Sequence, residues 1–91
     1  MVELIKKYAD EYGVDRQTCL NIAFCESGYR NIPNWYGERY GIGCYQFVRT
    51  TFNEQCDGDI YNSEDNIKCA IKLISRGELW RWKTSQKCWQ R

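Results

Sequence analysis

The chain has no histidine, a single proline and no Cys-x-x-Cys pair, and each absence removes a class of chemistry. Without histidine, Ser-His-Asp and Cys-His nucleophilic schemes fall away. The same absence, with no Cys-x-x-Cys pair, makes a tetrahedral zinc site a poor reading. Catalysis, if present, rests on carboxylates or tyrosines. No apolar run is long enough to cross a bilayer. Residues 1–12 mix charges with apolar positions, so no leader is visible and the sequence reads as a mature form or an excised domain. Charge is balanced as well: 13 Lys and Arg stand against 12 Asp and Glu, which gives no strong pull toward nucleic acid or an anionic membrane. No repeat, linker or low-complexity segment interrupts the chain, whose 91 residues fit one domain spanning 1–91.

What the chain does have is cysteine. A domain this small buries a modest core and usually needs extra support. Cys19, Cys25, Cys44, Cys56, Cys69 and Cys88 are expected to supply it as three disulfides formed in an oxidising compartment. Six cysteines allow about 15 connectivities. Cys56 with Cys69 is the favoured pair, because it would clip a polar turn onto the start of the next helix.

The pattern is mainly helical. Val2, Ile5, Tyr8, Ala9 and Tyr12 recur at helical spacing and Gly13 stops the run. Asp15 caps a second helix running to about Glu26, with Gly28 beyond its end. Residues 29–43 hold the proline, glycines and aromatics of a loop or short hairpin. The segment 44–52 is compatible with a strand by composition or a short helix by the spacing of Tyr45, Val48 and Phe52. Ser63 is the expected cap of a helix carrying Ile67, Ala70, Ile71 and Ile74, closed by Gly77. The tail is aromatic, basic and tied by Cys88. Its Arg76, Arg81, Lys83, Lys87 and Arg91 suit a solvated face or contact with an anionic polymer. Trp80, Trp82 and Trp89 suit core or lid packing.

"FCESGY", residues 24–29, ends an apolar helical run on a carboxylate. A glutamate desolvated beside Phe24, at the negative end of a helix, would hold its proton to higher pH. That is the requirement for a general acid.

The order of the pieces resembles a known family. "YADEYGVDRQTCLNIAFCESGYRN", "GIGCYQFVRTTF" and "NSEDNIKCAIKLI" together look like the lytic transglycosylase (SLT-type) domain of the lysozyme-like superfamily. There, a helix ending in Glu-Ser is followed by a Gly-x-x-Gln segment, a Thr and a later helix opened by Asn-Ile. The counterparts are Glu26-Ser27, Gly43 to Gln46, Thr50 or Thr51, and Asn66-Ile67. The resemblance implies a small, mainly α, lysozyme-like domain with a loop or β-hairpin beside its cleft. It also implies cleavage of the β-1,4 bond between N-acetylmuramic acid and N-acetylglucosamine in peptidoglycan, with Glu26 as acid/base. Gln46 and Tyr45 would lie near the sugar, with Ser27 at the substrate or on nearby backbone.

Two outcomes for the sugar stay open. In a transglycosylase one carboxylate suffices, and the muramic acid C6 hydroxyl attacks to give a 1,6-anhydro product. A lysozyme uses water and usually a second carboxylate. Glu38 is the preferred candidate, with Asp57 and Asp59 behind it. Trp35 and Tyr36 are candidates for sugar stacking. The family's C-terminal Ala-Tyr-Asn-Ala-Gly stretch is replaced here by "WRWKTSQKCW". "DGDIYNSED" lacks the order of a calcium loop and reads as a capped turn. The expectation is a cofactor-free, metal-free monomer, secreted, periplasmic or wall-associated, acting on peptidoglycan strands. The alternative is a module that binds glycan without cutting it.

Overall fold

The computed structural model describes residues 1–36 and 39–90, and of Trp35, Tyr36 and Arg39 the backbone. Helix α1, Val2–Tyr12, ends at Gly13, whose φ of 68° closes the last turn on the Ala9 and Asp10 carbonyls. Asp15 opens α2, Arg16–Ser27, by accepting from the Thr18 N–H and hydroxyl at 2.9 Å each. Such a cap contributes about 1 kcal/mol. Gly28 ends α2 in the left-handed region.

The described residues of the 29–43 segment take the hairpin alternative. Strands β1, Pro33–Tyr36, and β2, Arg39–Ile42, pair antiparallel with Pro33 opposite Ile42 and Trp35 opposite Tyr40. The segment left open between strand and helix is both turned and helical. Ile42 and Phe47 exchange backbone hydrogen bonds of 2.9 Å around a tight turn, and α3 follows at Arg49–Gln55. Helix α4, Ser63–Ser75, is capped one residue earlier than expected: Asn62 accepts from the Asp65 N–H at 2.9 Å, while Ser63 is already helical. A 3-10 segment, Leu79–Ser85, bends at Trp82 and runs into α5, Gln86–Trp89.

Helix α4 is the spine of the core. Its Ile67, Ile71 and Leu73 are fully buried and share one cluster with Ile5 and Ala9 of α1 and Ile22 of α2. Each such side chain is worth about 1.5–3 kcal/mol of burial. Asn66, at the start of α4, is polar and fully buried, yet satisfied. Its Oδ1 accepts from the Tyr45 N–H at 3.1 Å, and its Nδ2 donates to the Ile42 and Ile60 carbonyls at 3.0 and 3.1 Å. This amide ties the 42–45 turn to α4. It also explains Gly43: φ is 85°, and a Cβ there would stand 2.2 Å from Asn66 Nδ2.

The disulfide expectation needs a correction. Cys56–Cys69 is bonded, the pair favoured from the sequence, and Cys25–Cys88 is the second link. Cys19 and Cys44 are free thiols rather than a third pair. Both are fully buried in the main core cluster, where they serve as small apolar volume. Burial pushes the Cys19 thiol up to about 12 and the Cys44 thiol up to about 11. Among the described residues no helix is long and apolar enough to cross a membrane.

Candidate active site

A cleft of about 510 Å³ opens between the C-terminal end of α2, the 41–48 segment and the 3-10 segment. Glu26, the penultimate residue of α2, lines it half-buried. The Ser85 hydroxyl donates a hydrogen bond to Glu26 Oε2 and stands 3.2 Å from the Trp82 carbonyl. Ser85 is 59 residues away in sequence, and several links bring it there. The Cys25–Cys88 disulfide joins the residue before Glu26 to α5. The indole N–H of Trp82 donates to the Tyr45 carbonyl at 3.0 Å, and that of Trp89 to the Trp82 carbonyl at 3.0 Å. The tail is thereby held against α2 and the turn.

The Gly-x-x-Gln turn forms the facing wall. Tyr45 is fully buried, and its hydroxyl donates to the Cys19 carbonyl at 2.7 Å. Burial holds its phenol well above the usual tyrosine range. Tyr45 therefore contributes ring surface to the cleft, while its hydroxyl is committed to the core. Gln46 takes φ of 54°, a region that non-glycine residues adopt at a cost of order 1–3 kcal/mol. What holds it there is its amide nitrogen, which donates at 2.8 Å to both the Ile32 and Gly43 carbonyls. Its Oε1 is buried with no hydrogen-bond partner among the described residues. Gln46 lines the cleft and is only 8% exposed.

Ser27, expected at the substrate or on backbone, does the second. Its hydroxyl lies 2.8 Å from the Cys44 carbonyl and accepts from the Arg30 N–H at 3.1 Å, which locks the end of α2 to the turn. It does not line the cleft. Phe24 is also not where desolvation of Glu26 required it. It is 54% exposed and packs on Tyr29, with ring centroids 5.6 Å apart, because the helical period turns position 24 outward when Ala23 faces the core. The apolar surroundings of the cleft come instead from Tyr45, Phe47 and Trp82.

The rim carries groups that the sequence reading did not single out as site residues. Trp80 is 62% exposed and lines the cleft, with the Arg81 guanidinium 4.4 Å from its ring centroid. Arg81 and Arg76 share the Glu78 carboxylate at 2.8 and 3.2 Å, which leaves this trio one net positive charge. Thr84 and Ser85 complete that side. The only advance signal was the mixture of tryptophans and basic residues in the tail. Trp82 and Trp89 are buried and belong to the packing.

Of the second-carboxylate candidates, Asp57 and Asp59 are exposed in the 56–62 turn, where Asp59 accepts from the Tyr61 N–H at 2.9 Å, and neither lines the cleft. Glu38 and the side chains of Trp35 and Tyr36 lie outside the described residues. Glu26 is the one carboxylate among the described residues that line the cleft. Among the described residues no cluster of three potential ligands could hold a metal. No protein-family model, no curated protein and no solved structure matches the chain.

Proposed function

We propose that this domain cleaves the β-1,4 glycosidic bond between N-acetylmuramic acid and N-acetylglucosamine in peptidoglycan, with Glu26 as acid/base. The observation that carries the reading is Glu26 itself: a half-buried carboxyl at a helix end, in an aromatic-lined cleft, with a hydroxyl on one oxygen. At about 510 Å³ the cleft lies within the roughly 300–1,000 Å³ range of ligand sites.

A glycosidic oxygen leaves only when protonated, so the acid must carry a proton near neutral pH. Glu26 stands at the carbonyl end of α2, and Tyr45, Phe47 and Trp82 give its cleft apolar surface. As the bond breaks, Glu26 becomes the anion and is the base for the second half of the reaction. The scheme proposed is transglycosylation: Glu26 takes the proton from the muramic acid C6 hydroxyl, which attacks its own anomeric carbon. Gln46 lies in the cleft wall with its amide turned into the protein, and Trp80 presents an exposed ring for a sugar face. Cys25–Cys88 and Cys56–Cys69 suit work in an oxidising, extracytosolic setting.

The test is digestion of purified peptidoglycan by the wild type and by Glu26→Gln, with released muropeptides read by mass spectrometry. Products about 18 Da lighter than hydrolysed ends, absent with the variant, are expected. Reducing ends lost in the variant would make the enzyme a lysozyme and direct attention to Glu38. Binding of glycan without release by either protein would replace the enzyme reading with a binding module.

A further inference from the structure

We propose that the tail wall is an anion-reading rim with Arg81 as its specificity residue, selecting glycan strands whose peptide stems carry free carboxylates. The inference rests on the muramidase reading above and names the form of substrate the cleft takes. Peptidoglycan differs from a plain N-acetylglucosamine polymer at every second sugar, which bears a lactyl ether on which an acidic peptide is built. A cation beside a sugar-binding surface distinguishes the two.

The sides of the cleft differ in charge. The 41–48 segment holds no charged residue. Residues 79–90 of the tail hold Arg81, Lys83 and Lys87 and no Asp or Glu. Lys83 and Lys87 are exposed and form no ion pair among the described residues. Of the three, Arg81 lines the cleft. Its guanidinium lies 4.4 Å from the Trp80 ring centroid, so the cation is held beside an indole that is itself exposed at the rim. Glu78 does not cancel this charge, because it is shared with Arg76 and stands outside the cleft lining. What Glu78 does is orient the group: Arg81 Nε and Nη2 both lie 2.8 Å from its Oε1. Those contacts engage one edge of a planar group that carries five N–H donors. A neutral sugar is served by the Trp80 ring alone. A sugar with a carboxylate branch meets the ring and the guanidinium together.

The ligands for the test are soluble strand fragments of a few disaccharides with their stems. The stem amines are acetylated and the carboxyls left free or amidated, so the two forms differ in negative charge. Affinity is measured by titration calorimetry on the full chain with both disulfides formed, carrying Glu26→Gln to stop cleavage, while muropeptide release by the wild type is followed in parallel. At low salt the acid form is expected to bind about tenfold more tightly, a gap that closes as salt shortens the Debye length from about 10 Å to about 3 Å. Arg81→Gln is expected to bring the gap below about twofold, whereas Trp80→Ala weakens both forms alike. Lys83→Gln with Lys87→Gln, at two exposed positions, is expected to remove a smaller, salt-sensitive part of it. Equal affinities for the two forms, or no binding of either, overturn the proposal. So does a gap that survives Arg81→Gln in a protein with the near-ultraviolet dichroism of its parent. A glycerol phosphate polymer that displaces the acid form at equal charge concentration overturns it too, because the rim would then hold any polyanion. If the wild type releases nothing, the muramidase reading fails while the affinity gap still decides this one. Release from both forms at one rate, with equal affinities, removes this inference and leaves the muramidase reading standing.

Discussion

The two walls of the cleft are built by different means. The wall formed by α2 and the 42–47 turn is an outgrowth of the core: Tyr45 is fully buried, Asn66 bonds the turn to α4 through two hydrogen bonds, and Ser27 closes α2 onto Cys44. The opposite wall, the tail from Leu79 to Trp89, exposes Trp80 and Thr84 and depends on a few distant links. These are the Cys25–Cys88 disulfide, the Asn21 amide on the Trp89 carbonyl at 3.3 Å and the Trp82 indole on the Tyr45 carbonyl at 3.0 Å, together with the buried rings of Trp82 and Trp89. The contrast assigns roles. The core wall carries the acid and resists distortion, whereas the tail wall carries the groups around the acid and moves if its links are cut.

Replacing the acid should leave both walls standing and remove the chemistry. Glu26→Gln is expected to lower muropeptide release by about 10²- to 10⁴-fold, with an unfolding midpoint close to the wild type. A large loss of stability in that variant would instead make Glu26 part of the architecture. The tail wall is broken by Cys25→Ser with Cys88→Ser. This pair closes a sequence separation of 63, and its loss costs about 4 kcal/mol by loop entropy. Removing Cys56–Cys69, with a separation of 13, costs about 3 kcal/mol. The sharper difference is functional: at a temperature where both variants are folded, activity should fall in the first and persist in the second.

The core wall is broken at Gly43. Gly43→Ala places a methyl on the Asn66 amide at a positive φ, and denaturant unfolding should show a loss of about 3 kcal/mol. Alkali attacks the fold by titration. The thiols of Cys44 and Cys19 are raised by burial from an ordinary 9.0 to about 11 and 12. Tyr8, chiefly through its hydrogen bond to Glu64 and then through burial, is raised from 10.0 to about 12. Raised values mean that the folded state keeps protons that the unfolded chain gives up. Their contribution is intact below pH 9.0 and is lost progressively as pH climbs toward about 12. Urea midpoints measured across that window should fall, and Cys44→Ala should flatten the first part of the slope. The smallest effect is at the rim: Trp80→Ala should raise KM about two- to tenfold without changing stability. An unchanged KM would remove Trp80 from the binding surface.

Much of the core wall was legible in advance. Helices α1 and α2 follow from apolar spacing, the Asp15 cap and the glycines that end them, all within a few residues of the feature they explain. The cap of α4 was misplaced by one position because Asn62 and Ser63 are both good caps, and only backbone geometry distinguishes them. Phe24 was misassigned because a helix with apolar residues on more than one face does not reveal which face is inward. Cys19 and Cys44 were counted as bonded because composition does not separate a buried thiol from a disulfide partner.

The sequence by itself determined the mainly helical domain and the stops and starts of its first two helices, favoured the Cys56–Cys69 link and singled out Glu26. These depend on periodicity and caps, which act over three or four residues, and on one short loop. Only the tertiary structure decided that Tyr45 turns its hydroxyl into the core, that Ser27 serves the backbone and that Ser85 meets Glu26. Those facts depend on contacts between residues 17 to 59 apart, and which distant groups meet is set by how the helices pack around α4.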